Sequence, residues 1–132
     1  MRKRILKLSF VIVSTLIMLS LSSCGDSYKA KSMAKDFLNE NLTNPDMSSF
    51  QAGTFGKTSH VSKEQIMEMR KFVSKLPEYK NQISYTSNEV PDTVTYLRVN
   101  YNLTDKNNKE TKHSNTFYFD KELTHILGFT IN

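Results

Sequence analysis

The chain has 132 residues, one cysteine, no tryptophan and 14 phenylalanines and tyrosines. That length allows one small domain beside a targeting segment and excludes a multidomain enzyme, and a lone cysteine excludes a disulfide framework. Of the 18 basic side chains behind the formal charge of +5, Arg2, Lys3, Arg4 and Lys7 precede Cys24 and no acidic residue does, leaving 14 basic against 13 acidic groups from Cys24 onward. A nearly neutral remainder gives no electrostatic footprint for a phosphate backbone, so no nucleic-acid partner is expected.

The first element is a targeting signal. Residues 2–7 form a basic n-region with Arg2, Lys3, Arg4 and Lys7, Leu8 to Leu21 are predominantly apolar, and Leu21-Ser22-Ser23-Cys24 follows. Positive charge holds the start of a signal peptide on the cytoplasmic side, the apolar run enters the membrane, and small residues admit the peptidase. The apolar run has 14 residues, short of the roughly 20 of a transmembrane helix. Leu21, Ser22, Ser23 and Cys24 resemble the lipobox of bacterial lipoproteins, an aliphatic residue and two small residues before Cys. The resemblance implies cleavage between Ser23 and Cys24 and diacylglyceryl modification of the Cys24 thiol. It thus implies a membrane partner through lipid on Cys24 and an extracytoplasmic place in the cell envelope. Residues 1–23 are read as the signal peptide, 24–28 as a lipidated flexible tether, and 29–132 as the domain.

The domain begins with a helix expected from about Ser27 to Leu42, since Ala30, Met33, Ala34, Phe37 and Leu38 recur on one face. Asn44-Pro45 ends it. Ser48–Ser59, with Gly53 and Gly56, reads as a strand carrying a kink or bulge. Ser62 and Gln65 have the spacing of a capping box, and a second helix is expected from Lys63 to about Leu76, with Ile66, Met69, Phe72, Val73 and Leu76 on one face. Gln82–Ser87 is expected as a strand. Thr93–Thr104 alternates most clearly, with Thr95, Leu97, Val99, Tyr101 and Leu103 on one side. Asp105–Lys109 is a hairpin turn, Ser114–Asp120 the next strand, and Leu123–Ile131 the last, with Leu123, His125, Leu127, Phe129 and Ile131 together. The fold expected is α+β, with two amphipathic helices packed on one face of a four- to five-stranded antiparallel meander. By analogy of layout alone this is similar to cystatin-like and NTF2-like folds.

No catalytic constellation is legible. His60, His113 and His125 lack metal-ligand spacing, so no metal site is expected, and nothing calls for a cofactor. His60 and His113 read as solvated, His125 as a hydrogen-bonded, partly buried side chain. Cys24 is consumed by the anchor, and no strand–Gly-x-Ser-x-Gly–helix elbow occurs. The sequons at Asn41 and Asn102, and Asp92-Thr93-Val94, which resembles an O-glycosylation acceptor of one Gram-negative phylum, are too short to carry weight. The surface chosen for a partner is the outward side of the clearest strand, Tyr96 and Arg98, with Tyr118 on its hairpin mate, because Tyr and Arg combine contact area with a polar handle. The expected function is a non-catalytic binding or accessory module anchored to the membrane, its protein or small-ligand partner unspecified. The alternatives are a receptor or enzyme with a sheet–helix pocket, and a protein inhibitor or assembly partner using its sheet face.

Overall fold

The computed structural model describes residues 25–132. The expected signal peptide, its expected cleavage point between Ser23 and Cys24, and Cys24 itself lie outside the described residues. Among the described residues, helix α1 covers 25–41. It is followed by strand β1 (Met47–Thr58), helix α2 (Lys63–Val73) and strands β2 (Val94–Thr104), β3 (Glu110–Phe119) and β4 (Ile126–Ile131). The strands form one antiparallel sheet in the order β1-β2-β3-β4. The chain is therefore α+β with two helices and a four-stranded meander.

α1 is helical because Ala30, Ala34 and Leu38, four residues apart, stack on one face, and all three are completely buried. Gly25 and Asp26, expected in the flexible tether, instead belong to this helix. Its end is tied down by the chain after α2. The Thr43 amide donates to the Glu78 carbonyl, the Lys80 amide donates to the Asn41 carbonyl, and Leu42 bridges Tyr79.

The main core lies between α1 and the sheet face carrying Leu97, Val99, Tyr101, Phe117, Phe119 and Phe129. Phe37 meets Phe117 and Phe129 edge-on, with centroids 5.8 and 5.4 Å away. Burying a side chain such as Leu38 or Phe117 contributes roughly 1.5–3 kcal/mol. A smaller cluster of Ile66, Val94 and Leu127, with Tyr118 and Met69 against it, forms on the other face.

α2 starts with the expected capping box: Ser62 Oγ accepts from the Gln65 amide at 3.2 Å and Gln65 Oε1 accepts from the Ser62 amide at 2.8 Å. Its buried side chains divide between the two clusters, Val73 in the main one and Ile66 in the smaller one. Both helices were expected on one face, and α2 does not follow that simple arrangement. Phe72, expected on the buried stripe, is 59% exposed.

Two strand readings are corrected. Gln82–Ser87 forms no strand. Side chains hold it as a strap: the Tyr85 ring lies between Phe37 and Arg70, and the Ser87 carbonyl accepts from Arg70. In the last strand, a register shift opposite Tyr118 and Phe119 breaks the alternation. Ile126 and Phe129 join the main core while Leu127 turns to the smaller one, because a bulge residue reverses the side-chain phase. Leu123, with φ 56°, and His125 precede the strand in the turn. The bulge expected in β1 is present, with register shifts between Ser48 and Gln51 and between Ala52 and Phe55.

Candidate functional site

The side of the sheet turned away from α1 is built in rows across the strands. One row reads Gly56, Tyr96, Tyr118, Gly128. The two tyrosines expected at a partner surface are thus direct cross-strand neighbours with a glycine on either flank. A Cβ on Gly56 would stand 2.9 Å from Tyr96 Oη and 3.1 Å from its Cζ, so the Tyr96 ring lies across bare β1 backbone. A Cβ on Gly128 would stand 3.5 Å from Ile66 Cγ2, and here α2 approaches the strand instead. Glycine permits both approaches because it has no side chain to displace.

Tyr118 is half-buried against the Ile66–Leu127 cluster. Burial, followed by the charge of the neighbouring Tyr96, pushes its phenol above the ordinary value. Arg98 falls in the next row, opposite Thr116, which in turn faces Thr130. It is exposed, and its Nε donates to Ser114 Oγ at 3.2 Å. The third row is Gln51, Asn100 and Ser114, extended by Asn132. The Asn132 amide donates to the Ser114 carbonyl, and its Nδ2 to Thr116 Oγ1 at 3.0 Å. Tyr96, Arg98 and Tyr118 therefore share one face, as their spacing required. The three rows hold amides, hydroxyls, two phenols and a guanidinium, and neither a carboxylate nor an imidazole. They offer contact area and hydrogen bonds.

The sequence reading missed a second feature at the end of the core face. α1 stops at residue 41, while β2 and β3 run on to their hairpin. A cleft of about 300 Å³ opens there, lined by Leu42, Thr43, Asn44, Glu78, Leu103, Thr104, Asp105, Thr111 and His113. His113 was expected to be solvated, and it is half-buried. Its ring stacks on Tyr101 at 5.6 Å, and Tyr101 stacks in turn on Phe50 at 6.0 Å. The Tyr101 hydroxyl donates to the buried Asn115 Oδ1 at 2.5 Å, and Asn115 Nδ2 donates to the Thr130 carbonyl. His113 Nε2 shares a hydrogen bond with Thr111 Oγ1 at 2.7 Å. The imidazole is thus held on a face and on an edge.

The remaining histidines are placed elsewhere. His125 Nδ1 shares a 2.6 Å hydrogen bond with Thr86 Oγ1, pinning the strap. The His60 amide donates to Thr58 Oγ1 at the end of β1. Among the described residues no group of three or more His, Cys, Asp or Glu is placed to hold a metal ion.

No family model, no curated protein and no solved structure matches this chain.

Proposed function

We propose that this protein is a lipid-anchored, extracytoplasmic binding module that engages a partner through the Tyr96–Arg98–Tyr118 face and performs no catalysis of its own. The observation that carries the reading is the position of Cys24. It closes the basic, apolar and small-residue signal, and residue 25, the first described residue, already lies in helix α1. A diacylglyceryl group there would tie the membrane directly to α1. Two acyl chains give stable attachment because each buried CH₂ contributes about 0.8 kcal/mol. Confinement to one membrane raises the effective concentration of the module for partners on that membrane. Among the described residues no helix is long and apolar enough to cross a membrane, so on this reading the acyl chains supply the attachment.

The face is suited to a protein partner. Its aromatic and guanidinium groups are backed by rows of amides and hydroxyls that can pair with backbone groups. A photocrosslinking amino acid placed at position 98 in the native host, compared with one at Asn39 on the exposed side of α1, tests this. A discrete adduct from position 98 alone is expected. Equal adducts from both positions, or none from position 98, would overturn the choice of face.

A further inference from the structure

The cleft beyond the end of α1 has a chemical character of its own. Leu42 and Leu103 give it apolar walls, and Thr43, Thr104 and Thr111 add hydroxyls. Glu78 and Asp105, both exposed, are its acidic lining residues. Among the described residues that line it there is no lysine or arginine. Asp105 Oδ1 already accepts from the Asn107 and Lys109 amides at 2.9 Å, which fixes where that carboxylate stands. His113 Nδ1 has no hydrogen-bond partner among the described residues, while Nε2 is occupied by Thr111.

We propose that this cleft is a binding site for a small organic cation, an amine with a short alkyl body. The alkyl part would lie against Leu42 and Leu103, and the ammonium would take the place that the two carboxylates make favourable. Small-ligand sites combine an apolar lining with a few converging polar groups in this way, and about 300 Å³ lies at the lower end of their volumes. A neutral alcohol would gain only the apolar contact, and a dicarboxylate would be repelled by Glu78 and Asp105.

The placement fits the anchored module. Met33, in the first half of α1, shares a groove with Thr124 and Ile126 beside the β3–β4 turn, whereas Leu42 meets Asp105 at the β2–β3 turn. The second half of α1 therefore runs from the β3–β4 turn toward the β2–β3 turn. The cleft stands at the C-terminal end of α1. The inference rests on reading the chain as a binding module, and adds a ligand class to it.

The test is a titration of the full chain, in detergent micelles, with cadaverine, 1-pentanol and glutarate, read by NMR at the His113 ring and the Thr111 and Leu103 amides. Saturable shifts with cadaverine, at least tenfold weaker with pentanol and absent with glutarate, are expected. Glu78→Gln, an exposed change with no folding role, should weaken cadaverine at least fivefold. Equal binding of pentanol, or no effect of Glu78→Gln, would overturn the cationic ligand, and no saturation by 10 mM, a concentration on the order of ten times a millimolar dissociation constant, would overturn the site. The titration reads the cleft alone. Its failure beside an intact position-98 adduct would remove this inference and leave the sheet-face reading standing, and the converse result would do the reverse.

Discussion

Arg70 reaches from α2 to the carbonyl of Leu127, the residue at which β4 changes phase, and donates to it through Nε at 2.7 Å. The same guanidinium donates to the Ser87 carbonyl at 2.6 Å and to Asn88 Oδ1 at 2.8 Å, and lies 4.0 Å over the Tyr85 ring. One side chain thus joins the helix, the bulged strand and the strap. Its planar fork meets the three acceptors through three separate nitrogens, a spread that the single nitrogen of a lysine does not have. Burial lowers its pKa from the ordinary value, against the opposing effect of Tyr85.

Arg70→Ala should therefore cost about 2 kcal/mol in denaturant unfolding, and Arg70→Lys should recover less than half of it. Hydrogen exchange should rise first in residues 81–88. Full recovery by lysine would mean that charge alone matters at this point.

Two tyrosines should respond oppositely to loss of the hydroxyl. Tyr101 Oη donates to buried Asn115, whereas Tyr85 Oη is buried without a partner. Tyr101→Phe leaves an orphaned acceptor and should cost about 1–2 kcal/mol, while Tyr85→Phe should be neutral or stabilising. Urea midpoints at neutral pH decide between these outcomes.

The Tyr85 phenol also sets an alkaline limit. Burial pushes it up to about 12, against the lowering effect of Arg70. In the unfolded chain a tyrosine loses its proton near 10. Between roughly pH 10 and 12 the unfolded state sheds a proton that the folded state keeps, so stability falls as pH rises through that window. Tyr85→Phe should lose less stability than the wild type between about pH 10 and 12. Parallel loss in both would contradict the assignment.

Gly56 controls the posture of Tyr96. Gly56→Ala puts a Cβ 2.9 Å from Tyr96 Oη, and the ring must swing off β1. Its free end can move, so the stability cost should stay below about 1 kcal/mol. The aromatic surface would nevertheless be rearranged, and the crosslink from position 98 should weaken several-fold. An unchanged adduct would show that the ring's position is irrelevant to the partner.

The elements that were legible in the sequence are those with uninterrupted periodicity. Ala30, Ala34 and Leu38 marked α1, Ser62 and Gln65 marked the start of α2, and alternation from Thr95 to Leu103 marked β2 and the outward side of Tyr96 and Arg98. Local pattern failed where long-range side-chain contacts hold the backbone. Gln82–Ser87 alternates like a strand, yet Arg70 and Phe37 tie it down as a strap. The bulge at Leu127 depends on its register with β3, which one strand's sequence does not encode. The cleft was missed because it opens where α1 ends at residue 41 while β2 runs on to Thr104, and the position of a helix along a sheet is set by tertiary packing that local sequence does not encode. The lone-histidine pattern of His113 gave no signal of its stacking on Tyr101.

The most direct test of the anchored-module account is the intact mass of the chain extracted from membranes of its native host. The account predicts a polypeptide that begins at Cys24, heavier than residues 24–132 by a diacylglyceryl group, with or without a further acyl chain on the amine. A chain of unmodified mass, or one that retains residues 1–23, would contradict it.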